Sequence, residues 1–221
     1  MKWEIKQFNS LVSTNLTARS FGPGTVVMAE TQTGGRGRYG RVWQSPRGNL
    51  YVSFVFESDP KRDAYLSFLT GLALAESLPE FSVRLKWPND ILLDGKKVAG
   101  ILLETVENKI IVGIGVNLLS NPDKNVLYPT ANLGGRLSPI GLVKRLMIQY
   151  EALFDVLERK GFKKIRARWL DLAVGVGDTI SVHLPNEELI GQFKGISPEG
   201  ALLLKVGKTI HCITAGDVFL I

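Results

Sequence analysis

Four arginines, Arg36, Arg38, Arg41 and Arg47, fall between residues 31 and 50 with no acidic residue among them. Five glycines and Pro46 occupy residues 32–48 of that stretch, so it cannot be regular secondary structure and reads as a long functional loop. Glycine supplies backbone freedom and guanidinium a planar fork of donors. Interleaved, they suit a loop that closes around an anionic ligand through charge-assisted hydrogen bonds, with a solvated basic loop as the alternative. Lys86-Trp87-Pro88-Asn89-Asp90 sets a lysine, an aromatic ring and two amide or carboxylate groups at the end of an apolar strand, although Asn89-Asp90 would also serve as a plain turn after Pro88. Gly113-Ile114-Gly115-Val116-Asn117 places two glycines on a strand destined for burial, where they signal close approach of another group; its final amide also fits an ordinary strand end.

Other chemistries are excluded by residue type. Gly35-x-Gly37-x-x-Gly40 has the bare spacing of a dinucleotide fingerprint, but Pro46 and Gly48 follow where that fingerprint needs a helix. Residues 95–100 lack the Gly-Lys-Ser/Thr ending of a phosphate-binding Walker loop. One cysteine, Cys212, and two distant histidines, His183 and His211, leave no disulfide framework, no Cys/His metal site, and no Cys-His or Ser-His nucleophile pair within the first 182 residues.

Around these segments the 221 residues, 45% apolar and 9% aromatic, can bury a sizeable core, and no stretch is apolar for long enough to span a bilayer or to open a signal peptide. A cytoplasmic protein is expected. Residues 2–8 alternate in polarity, and Ser13-Thr14-Asn15 offers caps for a short helix ending near residues 21–24. Strands are expected at 25–30, 49–56 and 83–87, and a helix at 63–78 through Leu66, Leu69, Leu72 and Ala73. Residues 91–93 and 98–105 read as a hairpin across Asp94-Gly95, with a further strand at 109–116. Ile140, Val143, Leu146, Met147, Tyr150, Phe154 and Leu157 predict a long amphipathic helix, and a second helix reaches about Leu172. Beyond Gly175 come five short strands, the pattern of a small SH3-like barrel.

Net charge is +6, carried by residues 1–174 with 24 basic and 16 acidic side chains, against 3 and 5 in residues 175–221. Six basic residues also cluster in 159–168. That run is read as a patch steering an acidic partner, or as a solvated helix face.

Taken together, Gly35 to Pro46, Lys86 to Asp90, Lys97-Val98-Ala99-Gly100-Ile101-Leu102 and Gly113 to Asn117, with Ser13-Thr14-Asn15 and Gln32, resemble the biotin protein ligases in order and spacing. The resemblance implies an α+β fold: a mixed sheet packed with helices, of the class II synthetase-like biotin/lipoate ligase type, in a biotin/ATP-binding catalytic domain at 1–174, followed by a C-terminal SH3-like β-barrel at 175–221. It implies activation of biotin by ATP, with Mg²⁺, to biotinyl-5′-AMP and pyrophosphate. Transfer to one lysine of the biotin carboxyl carrier protein domain of acetyl-CoA carboxylase or a related carboxylase follows.

With only twelve residues ahead of Ser13, the monofunctional type without a DNA-binding domain is expected, acting on neither DNA nor membrane; a homodimer is compatible with the family. The resemblance assigns Ser13, Thr14 and Gln32 to the ureido ring, with Asn15 in support. Arg36, Arg38 and Lys97 gather carboxylate and α-phosphate, Arg38 and Lys97 being the catalytic pair. Arg41 meets phosphate, Trp43 covers adenine or the biotin chain, and Asn89 and Asn117 bond the nucleotide. Gly37, Lys86, Gly100 and Gly115 complete the binding set, no protein metal ligand is implied, and Asp90 is a candidate contact to the Mg²⁺ water shell. Residues 215–221 lack the basic residue with which many relatives end the last strand. Two rivals stand beside this reading: a lipoate or octanoyl transfer enzyme of related fold, and a basic nucleic-acid-binding module.

Overall fold

The computed structural model describes residues 2–122 and 126–221. Seven strands form a mixed sheet in the order β1-β2-β3-β7-β6-β5-β4. They are β1 (Glu4–Leu11), β2 (Thr25–Gln32), β3 (Leu50–Glu57), β4 (Val83–Lys86), β5 (Asp90–Leu93), β6 (Lys96–Val106) and β7 (Lys109–Val116). Only β1 and β2 run parallel, because the short helix α1 (Thr14–Ala18) carries the chain back between them; the remaining neighbours are antiparallel. Asp94 and Gly95, both at positive φ, close the β5–β6 hairpin as Asp-Gly predicts.

Strand alternation divides this sheet into two chemically different faces. Val52, Phe54 and Phe56 of β3 and Ile110, Val112 and Ile114 of β7 enter the main core with helices α2 (Leu66–Glu76) and α3 (Pro139–Leu172). Nearly every residue of α2 is buried, and Phe68 meets Trp169 of α3 edge to face at 5.2 Å. On the opposite face Val27, Val55 and Ile111 pack beneath Ala18 of α1. That face then runs out of bulk: Tyr51 pairs with Gly115, Ser53 with Gly113, and Gly115 in turn with Gly100. The shallow ground left by Ser53, Gly100, Gly113 and Gly115 is where the site forms.

Helix α3 begins on the Ser138 cap and breaks at Gly161, φ 68° and ψ 174°, which divides it into the two helices expected from the sequence. The basic run straddles this break. Arg159 pairs with Asp155, Arg168 with Glu76, and Arg166 donates to the Ile196 carbonyl, leaving Lys160, Lys163 and Lys164 exposed.

The last five strands are β8 (Thr179–His183), β9 (Glu188–Ile196), β10 (Leu202–Val206), β11 (Thr209–Ile213) and β12 (Asp217–Leu220), an antiparallel sheet ordered β11-β10-β9-β8-β12. Ile180, Val182, Phe193, Leu202, Leu204 and Val218 belong to the same apolar cluster as Leu72 and Trp169. The loop at 32–48 is more ordered than its composition suggests. Arg36 and Val42 form an antiparallel bridge, and a 3-10 turn spans Arg38–Gly40 with Tyr39 at φ 56°.

Candidate functional site

A cavity of about 490 Å³ opens on the glycine-rich face of the sheet. Its first wall comes from the start of α1 and the end of β2. Ser13 caps α1 by accepting the Leu16 N–H, which turns Thr14 and Asn15 inward. The Thr14 backbone N–H donates to Gln32 Oε1 at 2.8 Å, and Gln32 Nε2 donates to Ser45 Oγ at 3.0 Å. Asn15 Nδ2 donates to Glu104 at 2.7 Å, and Ser53 Oγ lies 2.6 Å from Asn15 Oδ1. A Cβ on Gly113 would collide with the Asn15 amide, so the glycine is required for this wall to close.

The second wall is the indole of Trp43, lying flat over the cross-strand pair Gly100 and Gly115. A Cβ on Gly115 would sit 2.5 Å from Trp43 Nε1 and 2.7 Å from Cζ2, and one on Gly100 would sit 3.0 Å from Cζ3. The close approach that these glycines signalled is therefore made by the tryptophan of the arginine loop.

The third wall is cationic. Arg38 donates to the Gly216 carbonyl at 3.0 Å and to Asn89 Oδ1 at 3.4 Å, and its guanidinium lies 3.7 Å from Asp217. Arg41 Nη2 meets both oxygens of Asp217, at 2.9 and 3.0 Å. Lys97 Nζ pairs with Asp90 at 2.6 Å and stands 5.5 Å from the Trp43 ring. With Arg36, four cations face two carboxylates, Asp90 and Asp217, and the surplus is positive. Lysine keeps three donors and one goes to Asp90, so Lys97 retains two for an incoming anion.

Lys86 departs from expectation, because it is the one residue of the predicted set that does not reach the cavity wall. It is buried behind the wall, its Nζ 3.3 Å from the centre of the Tyr128 ring and 3.9 Å from Asp90. Burial pushes its ammonium down to about 8, against the pull of Asp90. Burial also raises the Tyr128 hydroxyl, with Asp217 and Asp90 adding to the effect.

The other predicted residues, Ser13, Thr14, Asn15, Gln32, Arg36, Gly37, Arg38, Arg41, Trp43, Asn89, Lys97, Gly100, Gly115 and Asn117, all line the cavity. Two of them are already committed within the protein. Asn89 Nδ2 donates to the Ile101 carbonyl at 2.7 Å, and Asn117 Nδ2 to the Ala131 carbonyl at 3.0 Å, so both amides brace strand ends. Asp90, a candidate for the Mg²⁺ water shell, is held by Lys97 and Lys86. Sequence reasoning missed Asp217, Tyr128, Ser53 and Glu104. The signals available were faint: Asp217 is the only acid in residues 215–221, and Ser53 the only small polar residue among the apolar and aromatic residues 50–56.

Comparison with known proteins gives matches over two parts of the chain. Residues 5–121 match the biotin/lipoate A/B protein ligase family, and residues 176–221 match the biotin protein ligase C-terminal domain. The biotin--[acetyl-CoA-carboxylase] ligase of Paracoccus denitrificans is 36% identical, covering 94% of this chain and 96% of that protein. The bifunctional ligase/repressor BirA of Bacillus subtilis is 30% identical over 88% of this chain and 66% of its own length. Among solved structures, the biotin protein ligase of Aquifex aeolicus in complex with biotin and ATP superposes with a TM-score of 0.86 at 27% identity, covering 98% of this chain and 97% of that one. A family model spanning more than half of the residues, and a ligase alike over nearly its whole length, make this chain a member of the biotin protein ligase family.

Proposed function

We infer that the protein is an ATP-dependent biotin ligase that makes biotinyl-5′-AMP and pyrophosphate, then transfers biotin to a lysine of a carrier domain in a carboxylase. The observation carrying this reading is the polarity of one cavity: an amide and hydroxyl wall at Thr14 and Gln32 suited to a cyclic urea, and at the other side a surplus of cations suited to a carboxylate and phosphates. In the first step a biotin carboxylate oxygen bonds to the α-phosphorus and the bond to pyrophosphate breaks. In the second, the acceptor lysine nitrogen bonds to the acyl carbon and AMP leaves.

Neither step needs an enzyme nucleophile, in keeping with the residue inventory. What the chain contributes is position and charge. Arg38 and Lys97 neutralise the α-phosphate and the attacking carboxylate, Arg36 and Arg41 supply further guanidinium donors, and Trp43 covers the ligand against the glycine platform. Mg²⁺ enters with the nucleotide as part of the substrate; among the described residues no cluster of three His, Cys, Asp or Glu would hold it separately. Residues 1–174 are assigned the chemistry, and residues 175–221 support it through Gly216 and Asp217. No helix among the described residues is long and apolar enough to cross a membrane, and a cytoplasmic site of action, where ATP and carboxylases meet, completes the assignment.

The test is biotin-dependent exchange of labelled pyrophosphate into ATP. Wild-type protein should exchange with biotin and not with lipoate, and Lys97→Ala should lose the exchange by at least about a hundredfold while remaining folded, since two charged hydrogen bonds go with it. Exchange at the wild-type rate in Lys97→Ala would remove Lys97 from the chemistry; exchange with lipoate alone would remove biotin.

A further inference from the structure

Behind the amide and hydroxyl wall runs a chain of hydrogen bonds whose direction is fixed at its far end. Arg19 Nη2 donates to Glu104 Oε1 at 3.0 Å, and the other oxygen of Glu104 accepts from Asn15 at 2.7 Å. A carboxylate can only accept, so the Asn15 amide must turn its NH₂ to Glu104 and its oxygen to Ser53. Ser53 Oγ is fully buried, 2.6 Å from Asn15 Oδ1 and 2.8 Å from Thr14 Oγ1. A hydroxyl has one proton. Because Asn15 Oδ1 has none to give, the Ser53 proton goes to Asn15, and the Ser53–Thr14 contact must use the proton of Thr14.

The consequence reaches the cavity. Thr14 Oγ1 also lies 3.2 Å from Gln32 Oε1, which already accepts the Thr14 backbone N–H. With the Thr14 proton drawn toward Ser53, no proton lies between these two oxygens, and each keeps a lone pair free to accept. Two acceptors with no proton between them call for a donor from outside, and a ureido N–H is such a donor.

We propose that Glu104, held by Arg19, is a positioning residue that sets the direction of the Asn15–Ser53–Thr14 chain and so keeps the cavity wall an acceptor for the ring N–H of biotin. This rests on the ligase reading above. Glu104 touches no ligand in this scheme; it acts through three intervening side chains.

The direction can be reversed on purpose. In Glu104→Gln, Arg19 can only donate, so the new amide must turn its oxygen to Arg19 and its NH₂ to Asn15. Asn15 then flips, Ser53 donates to Thr14, and the Thr14 proton closes on Gln32 Oε1, satisfying the wall internally. Biotin affinity, measured calorimetrically without ATP, should fall by about tenfold or more while ATP affinity and melting temperature hold. Arg19→Ala alone leaves the carboxylate in place and should bind biotin within about threefold of wild type. The double variant Arg19→Ala/Glu104→Gln frees the new amide to offer its oxygen to Asn15, and should recover affinity relative to Glu104→Gln. Ser53→Ala, a nearly isosteric change, breaks the chain in its middle and should weaken biotin with Glu104 intact.

Recovery in the double variant is the decisive result, since a role in packing alone would make the two losses add. Glu104→Gln binding biotin as wild type does, or a double variant no better than Glu104→Gln, would overturn the proposal. Failure of the wild-type protein to bind biotin would instead strike the ligase reading itself.

Discussion

Replacing Gly115 by alanine asks how much the site depends on Trp43 lying flat against the sheet. The added methyl would stand 2.5 Å from Nε1 and 2.7 Å from Cζ2 of the indole, whereas ordinary contact begins at 3.4 Å. The ring must therefore retreat by about 1 Å, because the methyl is anchored to a central strand and cannot yield. Gly100, directly opposite on β6, underlies the same ring, so strand backbone lies beneath the indole at both glycines. The indole moves outward, against the hydrogen bond from its backbone N–H to Gly35 and away from Lys97. Overpacking of this kind costs about 1–3 kcal/mol, and it falls on the closed, ligand-covering arrangement because the loop can relax when no ligand is held. Substrate affinity should thus drop by roughly five- to 150-fold with little loss of thermal stability. Intrinsic fluorescence reads this directly. Of four tryptophans only Trp43 lines the cavity, so ATP- or biotin-induced quenching reports its position. Gly22→Ala, with nothing within 4 Å of the added methyl, is the matched control. Dissociation constants for both substrates within twofold of wild type, with the same emission maximum, would refute the account of Trp43 as the cover of the site.

Three further outcomes can be checked. The pKa of buried Lys86, about 8 in the folded protein and 10.5 unfolded, means that folding opposes its charge: the penalty is complete below pH 8 and fades as pH rises toward 10.5, by up to about 3 kcal/mol. Urea midpoints at pH 7.5 and 9.5 should show wild type gaining on Lys86→Met, and parallel shifts would contradict this. Arg38→Gly cuts the tether from the loop to Gly216 and Asn89, so the reactive adenylate should escape and label serum albumin on a streptavidin blot; labelling no greater than wild type, in a variant that still makes adenylate, would deny Arg38 that holding role. Charge reversal at exposed Lys163 and Lys164 should slow transfer to an acidic carrier at low salt and spare pyrophosphate exchange, a difference absent if the run is only a solvated helix face.

The parts of the site that were legible in the sequence are those in which residue type alone betrays a requirement. Glycines in a buried strand and arginines among glycines each need an unusual explanation, and both segments converge on one cavity; Lys97, beside the Asp-Gly turn, enters only through the family resemblance. The parts that stayed hidden look ordinary locally. Ser53 is a small residue in an apolar strand, and Glu104 sits on a partly exposed one; their meaning arises only when register sets Ser53 opposite Gly113 and Glu104 opposite Ile111. Asp217 meets Arg41 across 176 residues of sequence, a distance over which no periodicity speaks. Lys86 enters the binding set only through the family resemblance, whereas in the fold Tyr128, from a segment with no pattern of its own, covers it. That segment is also tied to the strand by the Lys97–Thr130 bridge, through irregular backbone pairing that side-chain spacing does not encode.

The single apolar cluster that joins Leu72 and Trp169 to Ile180, Phe193, Leu204 and Val218 has a thermodynamic consequence. Where two sheets share one interior, neither can melt while the other keeps its buried surface, so the chain should lose its structure in one cooperative transition rather than in two. Gly200, in the turn between β9 and β10, lies close against Phe68 of α2 and so ties the C-terminal sheet to the helical layer as well. Damage to the tail is then not confined to the tail. A core substitution near Val218 lowers the free energy of the whole native state, and with it the fraction of molecules in which Asp217 stands ready to meet Arg41. A variant in the last forty residues can therefore lose activity without touching a substrate, and melting temperature and activity should fall together.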